Sequence, residues 1–176
     1  MGTINYRTSD YITMAIKPYY YTDFDEKEVA EDYCLANDCD IEDFDVAPYI
    51  MDLIQSYYED DLAEAENVLS RYHFDYYHVK IEYGYYEGFS LDIENNYGYC
   101  YDDWQDRRYA NKEITKLKQM LIELADVGMV ACYPFWIMHY EDYKGTLKCI
   151  DEAIKEMRAE VKTIPTWRQL ERSGEI

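Results

Sequence analysis

The sequence predicts an α+β fold: a mostly antiparallel sheet of about four strands with helices packed on one face, plus an acidic helical segment. Three observations carry this expectation. Between Tyr77 and Ile93 two runs alternate apolar and polar residues around a glycine-containing turn, the signature of a hairpin. After Asp102 two long segments repeat apolar residues at steps of three and four, the period of an amphipathic helix. Ahead of the hairpin, helical spacing is combined with charge of nearly one sign.

In chain order, Tyr11 to Lys17 is rich in β-formers and reads as a first strand, closed by Pro18. Asp25 to Ala36 reads as a short helix capped by Asp25 or an earlier acid, and Asn37 to Val46 as loop. Pro48 suits a first helical position. Tyr49 to Tyr58 follows as a helix on Ile50, Leu53, Ile54 and Tyr57, then Asp61 to Tyr72 as another on Leu62, Ala65, Val68 and Leu69. In the hairpin, Tyr77, Val79, Ile81 and Tyr83 alternate with His78, Lys80 and Glu82, and Phe89, Leu91 and Ile93 alternate with Ser90, Asp92 and Glu94. One face is therefore core and the other polar. Asp102-Asp103 caps a long helix to about Val127, with Ile114, Leu117, Leu121 and Leu124 on one stripe and Gly128 past its end. Met129 to Trp136 reads as a buried strand, whose pairing direction is left open. Asp142 or Tyr143 begins a last long helix on Leu147, Ile150, Ile154, Met157 and Val161, and a short tail from Pro165 is expected to be tethered by Trp167.

The whole chain, residues 1–176, reads as one domain with an acidic part, 1–103, and a charge-neutral scaffold, 104–176. The first part carries 25 acids and 5 bases, the second 12 and 12. Asp23 to Glu66 alone holds 17 acids against Lys27, a net of −16. Solubility needs only a net magnitude of roughly 2–8 in a small domain, and the excess costs self-repulsion. Direct binding to DNA, RNA or an anionic membrane is not expected, because phosphates require clustered Lys and Arg. The natural partner is basic. The 22 tyrosines allow rings to pack while hydroxyls stay wet, a trait of binding surfaces.

The five cysteines are odd in number and irregularly spaced, and Met1 to Asp10 has no apolar run. They read as reduced thiols of a cytoplasmic protein. The longest apolar run, Met129 to Met138, is too short to span a bilayer. No cofactor is implied, and no metal. Asp38 fails as the start of a calcium loop, since Asp43 and Tyr49 stand where Gly and Glu are required.

The acidic stretch carries the functional reading. Carboxylates spread over short helices imitate part of the phosphate array of DNA, and tyrosines among them supply hot spots. The expected contact surface is Asp38, Asp40, Glu42, Asp43, Asp45, Tyr57, Tyr58, Glu59, Asp60, Asp61 and Glu64. An alternative, catalytic reading takes His78, Lys80 and Glu82, on the polar face of the hairpin, as a general acid–base trio. Arg107, Arg108, Lys112, Lys116 and Lys118 give the long helix a basic face, read with Trp104 as pairing with the acidic segment.

Three blocks carry a resemblance: Tyr83-Gly84-Tyr85-Tyr86-Glu87-Gly88-Phe89, the helix Asn111-Lys112-Glu113-Ile114-Thr115-Lys116-Leu117-Lys118, and Ile154-Lys155-Glu156-Met157-Arg158 with Pro165-Thr166-Trp167-Arg168. From about Tyr72 onward the chain resembles small, acidic, uncharacterised proteins of bacteriophages and mobile elements of low-GC Gram-positive bacteria. The resemblance implies an anti-restriction or anti-CRISPR setting in the host cytoplasm.

These readings converge on an inhibitory binding protein rather than an enzyme. It would occupy the basic nucleic-acid groove of a host defence enzyme, with an RNA-guided nuclease as the target that fits best. Two alternatives remain: a small metal-independent ribonuclease, and an acidic accessory or assembly protein that forms a homodimer through the apolar stripe of its last helix.

Overall fold

A run such as Glu59-Asp60-Asp61 interrupts apolar spacing but contains neither Gly nor Pro, so nothing in it breaks a helix. These residues accordingly lie in one continuous helix, α2 (Val46–Ser70), where the periodicity suggests two. Pro48 lies in its first turn, where the absence of an N–H leaves no bond unmade. The computed structural model describes residues 11–84, 88–95, 104–132 and 141–175, without the side chains of residues 82–84, 88–89, 104 and 105. Its elements are β1 (Met14–Ile16), α1 (Glu26–Asn37), α2, β2 (Tyr77–Gly84), β3 (Gly88–Asn95), α3 (Trp104–Asp126), β4 (Met129–Ala131), α4 (Tyr143–Thr163) and α5 (Trp167–Ser173). The expected cap at Asp102-Asp103, the hairpin tip and the apolar residues beyond Cys132 lie outside the described residues.

The chain divides into two compact units, Pro18–Ala63 and the remainder, Met1–Lys17 with Glu64–Ile176. The first holds 15 acids and one base, a net of −14, and the second 22 acids and 16 bases, a net of −6. The acidic excess is thus concentrated in one compact unit, a sharper division than the change of composition at residue 103.

The larger unit contains a four-stranded sheet of order β2-β3-β1-β4. Every pairing is antiparallel, including that of β4, so the fold is α+β. The hairpin is in the register that its alternation predicts, Val79 against Ile93 and Ile81 against Leu91. Met14 pairs with both Leu91 and Ala131. That common face is core: Met14, Ile16, Tyr77, Leu91, Ile93, Met129 and Ala131 are all buried. α3 and α4 pack against each other and against β4, burying Ile114, Leu117, Leu121 and Leu124 from one helix and Ile150, Ile154, Met157 and Val161 from the other. Gly128, at φ +102°, makes the turn from α3 into β4, a backbone region that favours glycine. The buried Thr146 hydroxyl then accepts from the Ala131 N–H at 3.1 Å.

Two expectations are corrected here. The apolar stripe of α4 is buried against α3 inside this unit, so it does not offer the homodimer surface that the assembly reading required. The C-terminal tail is a short helix, α5, with Thr166 and Gln169 forming its capping box. Its anchor is Leu170, 3 % exposed, whereas Trp167 is 41 % exposed and donates from Nε1 to Glu171 at 3.0 Å. An indole can satisfy its N–H within its own helix and stay half wet, while a leucine has only burial to gain.

The smaller unit consists of α1, two single 3₁₀ turns at Tyr21–Asp23 and Ile41–Asp43, and the first part of α2. Asp25 caps α1 as expected: Oδ1 accepts from the N–H groups of Lys27 (2.9 Å) and Glu28 (3.1 Å). Glu26 and Glu28 in the first turn suit the positive end of the helix dipole. Few aliphatic groups are buried here, Ala30 and Ile50 among them. Aromatic stacking supplements them: Tyr33 lies 4.3 Å from Phe44 and 4.6 Å from Tyr49 by ring centroid. Tyr19 lies 5.4 Å from Tyr57 and 5.3 Å from Tyr58. Each such pair adds about 0.5–1.5 kcal/mol beyond the area it buries. The tyrosine content is therefore, in part, the packing chemistry of the acidic unit.

Candidate acidic interaction surface

The residues expected to meet a partner fall into two groups. Asp38, Asp40, Glu42, Asp43 and Asp45 occupy the turn between α1 and α2, and all five are exposed. Asp38 ends α1 in the left-handed conformation, φ 53°, which a short polar side chain tolerates. Asp40 Oδ1 accepts from the Glu42 N–H at 3.2 Å and opens the 3₁₀ turn. The stacked ring of Phe44 on Tyr33 fixes this turn over α1. Tyr57, Tyr58, Glu59, Asp60, Asp61 and Glu64 lie on α2, with Glu64 beyond the boundary of the acidic unit. At 1.5 Å of rise per residue, Asp45 and Asp60 are about 22 Å apart along the axis. The predicted set is therefore extended rather than clustered.

Around α2 the acids are not equivalent. Ile50, Ile54, Tyr57, Asp61, Ala65 and Val68 follow one another at steps of three and four, so Asp61 falls within the apolar stripe. There it accepts a 2.6 Å hydrogen bond from the Tyr19 hydroxyl, and the Tyr19 N–H donates to the Tyr58 hydroxyl at 3.0 Å. The bond to Asp61, reinforced by burial, pushes the Tyr19 phenol up to about 12. Burial likewise pushes Tyr58 up. Asp61, Tyr19 and Tyr58 thus act first as fasteners of the unit.

The opposite face carries Asp52, Glu59 and Glu66 at intervals of seven residues, all exposed, and Asp45 falls one interval before them. A seven-residue interval returns to the same side of a helix within about 20°. Asp52 and Glu66 are functional candidates that residue-by-residue selection missed, and the heptad spacing is the signal that finds them. Asp60 and Glu64 form an adjoining exposed row. From Asp52 to Asp60 the helix carries three exposed carboxylates, Asp52, Glu59 and Asp60, in about 12 Å, about one per 4 Å. A single nucleic-acid strand carries one phosphate per about 3.4 Å of axis. The linear charge density of α2 therefore approaches that of one strand and is well short of a duplex, at one charge per about 1.7 Å.

His78 and Lys80 of the catalytic alternative lie on one face of β2, as their alternation requires. His78 stands opposite Glu94, and Lys80 opposite Asp92, across the hairpin. The Glu82 side chain is outside the described residues. Lys80 and Asp92 are opposite charges facing each other across strands, an arrangement that stabilises a hairpin by roughly 0.2–1 kcal/mol.

Several basic residues of α3 make contacts within its own unit. Lys118 pairs with Asp151 at 2.7 Å, and Arg107 donates to the Ile164 carbonyl and to Gln169 Oε1, which ties α5 down. Lys116 donates to the His73 carbonyl. Beside them an open cleft of ≈ 600 Å³ is lined in part by Asp75, Tyr76, Tyr109, Lys112 and Lys116. Its floor is set by Glu113, buried, whose two oxygens accept from the N–H groups of Asp75 (2.5 Å) and Tyr76 (2.7 Å). The lining mixes both signs of charge, and Lys112 lies over the Tyr109 ring at 5.3 Å, so the cleft offers no single-sign site.

Among the described residues no three metal-ligating side chains converge, and no helix is long and apolar enough to cross a membrane. Compared with known proteins, the chain matches no family model, no curated protein and no solved structure.

Proposed function

We propose that this chain is an inhibitory binding protein whose acidic unit imitates nucleic acid and occupies the basic groove of a host defence enzyme. An RNA-guided nuclease is the target that best fits, because its strand-holding channel and its PAM-reading arginines are built to receive phosphates. The setting is the host cytoplasm during infection by a phage or transfer of a mobile element.

One observation carries the reading: α2 spaces its carboxylates at about the linear density of one nucleic-acid strand, on a unit with a net charge of −14. Carboxylates at that spacing can meet the Arg and Lys side chains that normally hold a strand, through charge-assisted hydrogen bonds. Tyr57, 40 % exposed and one turn before Asp60, supplies an amphipathic ring of the kind found at hot spots. The exposed turn from Asp38 to Asp45 extends the surface.

The test is competition. A guide-loaded nuclease bound to a fluorescent target strand is titrated with the chain at several salt concentrations. Displacement that weakens as salt rises, and that is lost in the triple variant Asp52→Lys, Glu59→Lys, Asp60→Lys, is the expected result. These positions are exposed and leave the Tyr19–Asp61 bond intact, so the variant should fold. A chain that leaves the strand bound even at low salt, to this nuclease and to other strand-binding defence enzymes, sinks the proposal.

A further inference from the structure

Cys34 and Cys39 belong to the acidic unit but take no part in the charge argument. Cys34 sits in the last turn of α1 and is buried, whereas Cys39 is exposed. The end of the helix brings them together. Asp38 turns left-handed at φ 53°, and the N–H groups of Asp38 and Cys39 both donate to the Cys34 carbonyl, the second at 3.1 Å. This wrapped helix end is a common way of satisfying orphan carbonyls. It places residue 39 directly over residue 34, with the two sulfurs in contact. Asn37 steadies the same turn by donating from Nδ2 to the Tyr33 carbonyl at 2.9 Å. Two thiols held this way by backbone hydrogen bonds are already close to bonding reach.

We propose that Cys34 and Cys39 form a reversible dithiol–disulfide site, closed by exchange with a low-molecular-weight disulfide. The exposed Cys39 loses its proton and attacks one sulfur of that disulfide, forming a mixed disulfide and releasing one thiolate. Cys34 then loses its proton and attacks the Cys39 sulfur, so that the protein disulfide forms and the second small thiolate leaves. The two departing thiolates take up the two protons. The protein loses two electrons, and the small disulfide gains them. The order follows from access: burial, with the Cys39 hydrogen bond second, pushes the Cys34 thiol up to about 11, which suits a resolving rather than an attacking sulfur. Closing the bond locks the turn that carries Asp38 and Asp40.

The experiment equilibrates the full chain over a range of glutathione redox poises, quenches it with acid and alkylates it. The tryptic peptide from Glu28 to Arg71 contains these two cysteines and no others, so its mass reads the site directly. The expected product has lost two hydrogens, and it exceeds the glutathione adduct by about tenfold, as an intramolecular second step requires. In Cys34→Ser the adduct should accumulate on Cys39, and in Cys39→Ser position 34 should remain a free thiol. The inference is overturned if the wild-type peptide collects two separate adducts. It is equally overturned if the peptide stays fully reduced at a poise where Cys149 is already modified. Both readouts come from the wild-type chain, so poor folding of the buried Cys34→Ser variant does not leave the question open.

Discussion

Tyr19 and Asp61 show how a residue picked out for its charge acquires a different first duty. Asp61 is one of a run of acids, and counting charges assigns it to a binding surface. Helical geometry puts it on the apolar side of α2, where a carboxylate needs a donor, and the Tyr19 hydroxyl supplies one at 2.6 Å. Tyr19→Phe removes that donor and should cost about 1.5 kcal/mol in urea denaturation. The same bond sets an alkaline limit. Tyr19 is held protonated to about 12 against an ordinary value of 10.0, and Tyr72, half-buried and bonded to Glu123, likewise. Between those values the unfolded chain releases a proton that the folded chain retains, so stability falls as pH rises from 10 to 12. Below pH 10 the contribution is fully present. An alkaline titration followed by tyrosinate absorbance should lose one late-titrating group in Tyr19→Phe. A titration with the same late groups in the variant would remove Tyr19 from this role.

At the scale of elements, much of the fold was legible because period and caps speak through local chemistry. The hairpin register, the Asp25 and Asp142 caps and the stripes of α3 and α4 all follow from rules that act within a few residues. What was not legible depends on three dimensions. The unity of α2 was hidden because an acid triplet resembles a break until one notices that it lacks Gly and Pro. The heptad row of Asp52, Glu59 and Glu66 becomes meaningful only once the helix is known to run unbroken through it. The anchor of α5 was misassigned because Trp167 is the largest residue of the tail, while burial depends on which side faces the core. Leu170→Ala should therefore cost about 2–4 kcal/mol, and Trp167→Ala clearly less, by chemical denaturation. Arg107 holds the same segment through the Ile164 carbonyl and Gln169, so protease cleavage near residue 165 should rise in Leu170→Ala. Equal costs for the two variants would restore the indole as the tether.

At the scale of the whole molecule, the division of charge makes salt act with opposite sign on folding and on binding. The acidic unit carries −14 within 46 residues, Pro18 to Ala63, and its carboxylates repel one another more than its few buried aliphatic groups would suggest it can bear. Screening shortens the reach of that repulsion from about 30 Å at 0.01 M salt to about 10 Å at 0.1 M. The free chain should therefore melt several degrees higher at about 0.2 M sodium chloride than at about 0.01 M. Over the same range a complex with a basic groove should weaken, because its attraction is screened as well. The triple variant Asp52→Lys, Glu59→Lys, Asp60→Lys relieves repulsion directly, so its melting temperature should rise at low salt and depend less on salt. A wild-type chain that melts at one temperature throughout would mean that the acids are far enough apart, or well enough paired, to cost nothing. The density argument along α2 would then lose its physical basis, since carboxylates too dilute to repel one another are also too dilute to imitate a strand.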